Sequence, residues 1–199
     1  MEKDFNRIAQ FLYEVGSMRR IPRMHRQNLL VDDTADNIAS HSYRVAFIGW
    51  HLAKKENADP YKVVMMCLLH DIGEVRSGDQ NWVHKRYTKV FDEEILEDQL
   101  GTLPFSDLKE FATEYEKRES KESIIAKDAD LIDQILLLKE YEWQGNKEAT
   151  EWLRGKGDDT ENRQFTRLQL DSSKKLVEEI LSETPSSWWK DLFTDERRV

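Results

Sequence analysis

The chain has 199 residues, enough to bury a core of its own without disulfides or a structural metal, so a single domain is expected. A formal net charge of −9 with a pI near 5.2 argues against polymeric nucleic acid as a partner, because phosphate backbones are held by Lys and Arg that displace counterions. A composition of 39% hydrophobic and 35% charged residues, with eight Gly and four Pro, argues against disorder except at the ends and favours helices.

In chain order, Phe5, Ile8, Phe11, Leu12 and Val15 recur at helical spacing and predict a first amphipathic helix ending near Gly16. Pro22 and the Asp/Asn-rich stretch after it break that period, so residues 19–37 read as a loop, basic at first and then acidic. Ser40 can cap a helix through "HSYRVAFIGWHLAKKE", and Asp59-Pro60 supplies a cap and a first-turn proline for "YKVVMMCLLHD". This third helix is apolar nearly all round and is expected to be central.

A loop through "DQNWVHKRY" should follow, with Trp82, His84 and Lys85 exposed on it. Two acidic, mostly exposed helices are then expected in "VFDEEILEDQL" and "FSDLKEFATEYEKR". The strongest helical pattern is "SKESIIAKDADLIDQILLLKEYEW", opened by Ser120. Helices over about 146–154 and 161–183 and a Trp-rich end at Trp188-Trp189, read as packing, complete an all-α class. Cys67, within "VVMMCLL", reads as a buried thiol suited to a reducing compartment. The start "MEKDFNRIAQ" lacks a leader pattern, and no apolar run approaches the roughly 20 residues of a bilayer span. A soluble, cytoplasmic protein without a membrane partner is expected.

The stretch "LLHDIGEVRSGD" ends an apolar run with His70-Asp71 and adds Glu74 and Asp79. A carboxylate beside a fully apolar helix costs several kcal/mol unless it is paired or bound to a metal. With His41 after Ser40 and Asp130 interrupting a later apolar helix, imidazole and carboxylate together suit one divalent ion such as Mn, Co, Ni, Zn or Fe, and Mg less well. Helical periodicity does not choose between Asp128 and Asp130 as the last ligand.

The order His…His-Asp…Asp, carried by "SHSYRVA", "LLHDIGEVRSGD" and "AKDADLI", resembles the HD-domain metal-dependent phosphohydrolases, most closely their 5′-deoxynucleotidase branch. The resemblance spans about residues 10–145 and implies an HD-domain helical bundle on which helices of about 146–193 pack. It implies His41, His70, Asp71 and Asp130 as metal ligands, Glu74 as the catalytic carboxylate and Asp79 as a second acid of the site. "RRIPR" is similar to the branch's substrate-phosphate loop, with Arg20 in the arginine position; Ile21 stands where some members carry an aromatic residue. A homodimer is also implied.

Physically, Arg20 and Arg23 can each make bidentate contacts to a phosphate in a chain otherwise acidic. Glu74 and Asp79 can handle protons while a metal activates water. The expected activity is release of phosphate from nucleoside 5′-monophosphates, deoxyribonucleotides above all. The alternatives are another nucleotide phosphohydrolase of the same superfamily, a pyrophosphatase or phosphodiesterase, or a silent nucleotide-binding protein.

Overall fold

The computed structural model describes residues 2–156 and 162–192, and among them there are helices, turns and loops but no strand. The chain opens with α1 (Glu2–Ser17), a 3-10 turn (Met18–Arg20) and α2 (His25–Leu29). Next come α3 (Ile38–Glu56), α4 (Pro60–Leu69), α5 (Glu74–Ser77) and α6 (Trp82–Tyr87). They lead to α7 (Asp92–Leu96) with a π-helical turn (Glu97–Gly101), α8 (Asp107–Lys117) and α9 (Lys121–Trp143). The C-terminal part holds α10 (Lys147–Arg154), a 3-10 turn (Phe165–Arg167), α11 (Asp171–Ser182) and a last 3-10 segment (Ser187–Leu192).

Helix α9 is the axis of the bundle, with α3, α4, α8, α10 and α11 packed around it. Its Ile125, Ala129, Ile132 and Ile135 are wholly buried against a core that includes Val45, Leu52, Val63 and Met66. Helices α3 and α4 come close at Gly49, where a Cβ would lie 2.6 Å from Cys67 Sγ and 2.9 Å from Val63 Cγ1. The space for any side chain is already filled. Burial raises the Cys67 thiol's pKa, as expected of a core cysteine.

A second, smaller cluster positions the site. Leu69 and Ile72 flank His70-Asp71 and are both buried among Phe11, Met18, Ile38, Leu100 and Ala112. The apolar neighbours of the pair are thus driven one way and the two polar side chains are left facing the other. Among the described residues no helix is long and apolar enough to cross a membrane.

Asp59 caps α4 as expected, accepting from the Tyr61 and Lys62 amides, with Pro60 at the first position. Elsewhere the boundaries differ from the sequence reading. Helix α3 begins three residues earlier, because Asn37 is the cap: its Oδ1 accepts from Ser40 N while Ser40 Oγ accepts from Asn37 N. The stretch before it contains α2 and is drawn tight by Arg23 N donating to Asp36 O and Ile38 N to Ile21 O, both at 3.0 Å.

The expected loop after Asp79 is in fact α6, capped by Asn81, whose Oδ1 accepts from Val83 N and His84 N. The acidic segments are less exposed than their charge suggests, since Gln99, Leu100, Ala112 and Tyr115 are buried. The last long helix starts only at Asp171; the expected start at 161 falls outside the described residues. Trp188 and Trp189 are exposed rather than core.

Candidate functional site

The end of α4, the start of α3 and the middle of α9 meet at one cluster. His41 Nε2 lies 3.1 Å from His70 Nε2, 3.5 Å from Asp71 Oδ2 and 3.3 Å from Asp130 Oδ1. His70 Nε2 is 3.1 Å from Asp71 Oδ2 and 3.8 Å from Asp130 Oδ1. The tertiary fold therefore brings the expected His41, His70, Asp71 and Asp130 together. His41, His70 and Asp71 each offer a ligand atom within 4.8 Å of the others.

The chemistry of the outer ring atoms says what the cluster can hold. His41 Nδ1 donates to Asp133 Oδ2 at 2.6 Å, and His70 Nδ1 donates to the Cys67 carbonyl at 2.7 Å. A carboxylate and a carbonyl only accept, so each Nδ1 carries a proton, and each ring in its neutral form turns an Nε2 lone pair inward. Two imidazole lone pairs and two carboxylate oxygens then face each other with no donor among them, an arrangement that a cation resolves. This donor set fits a divalent metal ion of borderline softness.

Without a cation, a proton on His41 Nε2 answers the same surplus of acceptors. Burial and Arg23 oppose protonation of His41, yet the carboxylates of Asp130 and Asp133 outweigh them and raise its pKa to about 9. Burial likewise opposes ionisation of Asp130, but Lys127 and the two histidines hold it well below the usual carboxylate range. Lys127 Nζ sits 2.6 Å from Asp130 Oδ2, leaving Oδ1 turned toward the histidines. Asp128, the other candidate acid, is elsewhere: it is wholly buried and accepts from the backbone amides of Gln169 and Leu170.

A cleft of about 390 Å³ opens beside the cluster, lined by Arg23, His70, Asp71, Glu74, Asp79 and Asp130 among others. Arg23 is 6% exposed, with Nη1 4.0 Å from Asp71 and Nε 3.9 Å from Asp79, and neither nitrogen has a hydrogen-bond partner. Buried unpaired donors at the wall of a cleft suit an incoming anionic oxygen. Glu74 Oε2 is buried without a partner as well. Burial, and then the negative charges of Asp71 and Asp79, push the Glu74 carboxyl up to about 10, so it keeps its proton.

Asp79 is buried and accepts from Met24 N, which ties it to the segment that carries Arg23. Arg20, expected to hold phosphate, is exposed on the 3-10 turn and does not line the cleft. The short turn before Pro22 carries Arg20 outward, and the Arg23–Asp36 backbone contact carries Arg23 inward.

Several residues of the site escaped the sequence reading. Asp133 is 3% exposed and, besides His41, receives Arg44 Nε at 2.5 Å; Arg44 Nη1 reaches Glu140 Oε1 at 2.5 Å. Its spacing of three from Asp130 on one helix face was the available signal. Tyr115 packs edge-on to His70 at 5.5 Å, and Gln134 lines the cleft, as does Trp82, which the sequence reading had set on an exposed loop.

Against known proteins, a family model described as an HD domain matches residues 15–168. The 5′-deoxynucleotidase HDDC2 of Dictyostelium discoideum is 30% identical over 149 residues, which cover 68% of this chain and 77% of that protein. The protein of the same name from Bos taurus is 30% identical over 146 residues, 70% of each chain. A conserved hypothetical protein from Pyrococcus furiosus superposes with a TM-score of 0.72 at 26% identity, covering 88% of this chain and 99% of its own.

Proposed function

The chain belongs to the HD domain family, and from that premise we propose that it is a metal-dependent phosphomonoesterase that cleaves nucleoside 5′-monophosphates, deoxyribonucleotides in particular, to nucleoside and phosphate. The observation that carries this reading is the convergence of four inward-facing acceptors, from His41, His70, Asp71 and Asp130, beside the unpaired Arg23 nitrogens and the protonated Glu74.

His41, His70, Asp71 and Asp130 would hold the ion. When bound, a divalent cation supplies Lewis acidity and a water of lowered pKa. Arg23 Nε and Nη1 would take two phosphate oxygens and hold the phosphoryl group in the cleft beside the ligand cluster. As a water oxygen bonds to phosphorus and the P–O5′ bond breaks, Glu74 gives its proton to O5′ and regains one from the water, so the nucleoside leaves as an alcohol rather than an alkoxide. Asp79 keeps Arg23 at its post through the Met24 amide and its own charge. Asp133 holds the His41 ring in the tautomer that turns Nε2 inward.

Phosphate release from nucleoside 5′-mono-, di- and triphosphates with Mn, Co, Mg and Zn tests the reading. Turnover should be confined to monophosphates and lost in His70→Ala and Glu74→Ala. Metal-loaded wild type that frees phosphate from none of the monophosphates would refute it. A cytoplasmic homodimer belongs to the same proposal, and sedimentation showing monomer alone at all concentrations would remove the dimer.

A further inference from the structure

We infer that Trp82, backed by Trp152, is the surface on which the substrate's base stacks; the inference rests on the nucleotide reading above. Trp82 lines the cleft only three positions after Asp79, and 47% of its surface is exposed. One of its faces is covered by Trp152, with ring centroids 4.8 Å apart and planes inclined by 13°. A ring stacked on one side and still half exposed has its other face and edge open.

The ring is held in place before any ligand arrives. Trp82 is the first residue of α6, directly after the cap Asn81, which is 1% exposed. Asn81 Nδ2 donates to the Met24 carbonyl at 3.0 Å and to Gln27 Oε1 at 2.8 Å, fixing the start of α6 to the segment that bears Arg23. Trp152 packs on the main core and receives the His25 ring edge-on at 6.0 Å. A platform ordered in advance loses little entropy when a flat ring lands on it.

The charged groups of the cleft serve the phosphate end, whereas an open indole face offers nothing to phosphate and a large contact to an aromatic ring. Every base has such a face, so stacking of this kind accepts purines and pyrimidines alike. The chemistry points to a nucleobase of any identity, with selectivity left to the sugar and phosphate.

The test compares wild type, Trp82→Ala and Trp82→Phe on the four common deoxynucleoside monophosphates and on deoxyribose 5-phosphate, which has no base. In Trp82→Ala the kcat/KM preference for the nucleotides over deoxyribose 5-phosphate should fall roughly 10-fold or more, chiefly through KM. Trp82→Phe should recover part of that preference. A preference unchanged in Trp82→Ala, or equally lost in Trp82→Phe, overturns the inference. Deoxyadenosine should also quench tryptophan fluorescence in wild type and not in Trp82→Ala, and equal quenching in both overturns it as well. If wild type frees phosphate from no monophosphate, the nucleotidase reading fails by itself, and the quenching alone decides for the platform.

Discussion

The back of α9 and its cleft-facing side both carry aspartates largely removed from water, yet their oxygens meet opposite company. Asp128, on the back, has its oxygens taken up by the amides of Gln169 and Leu170, so its charge is matched by donors and it ties the segment before α11 to the helix. Asp130 turns one oxygen to Lys127 and the other toward two imidazole nitrogens that offer lone pairs to a cation. Burial is therefore a poor guide to use. What distinguishes the two is whether the donors around the carboxylate suffice, and on the cleft side they do not.

The comparison breaks most sharply at Asp130. In Asp130→Asn, metal binding by titration calorimetry and phosphate release should both fall by roughly 10³-fold or more, about 4 kcal/mol, while the metal-free protein melts no lower than wild type. Asp128→Ala should do the reverse. It strands two backbone amides, so urea unfolding should show a loss of about 1–3 kcal/mol with metal affinity intact. If Asp128→Asn abolished metal binding and Asp130→Asn did not, the two sides of the helix would have been assigned the wrong way round.

Asp133 lies between these cases, being buried and fully matched, but matched to a site histidine and Arg44. Asp133→Asn should lower metal affinity by about 10–100-fold while leaving the ligands in place. Equal affinity in wild type and variant would make it a purely structural acid like Asp128.

Across the cleft, Glu74 is an acid with no matching donor on Oε2, and it answers by keeping its proton. Its folded pKa, about 10, lies above the ordinary 4.5, so the native state holds a proton that the unfolded chain has lost. The stability this group contributes is present below pH 4.5 and is lost as pH climbs toward 10. In the presence of chelator, unfolding free energy should therefore decline between about pH 5 and pH 9 more steeply for wild type than for Glu74→Gln. Parallel curves would show that Glu74 is ionised in the folded protein.

Much of the helical frame was legible locally. Asp59-Pro60 announced the start of α4, and the apolar run before His70-Asp71 announced a rigid helix end, because caps and periodicity act over one or two turns. Errors fell where short-range signals compete. The residues of α2 and α6 look like loop because helices of five and six residues carry too little period to be seen. Ser40 looks like a cap because it shares that task with Asn37.

The sequence by itself determined an all-helical chain with His41, His70, Asp71, Glu74 and Asp79 as chemistry-bearing positions. Periodicity left Asp128 and Asp130 open, and the family resemblance favoured Asp130. In the tertiary structure it is Asp130 that faces the histidines, since residues two apart on a helix point about 200° apart and packing says which side is the cleft. Only the tertiary structure decided that Asp133 meets His41 across 92 positions of chain, and that Arg23 turns inward while Arg20 stays in water. Local patterns choose helices, but a site is made where faces of distant helices meet, and that meeting is settled by what the shared core buries.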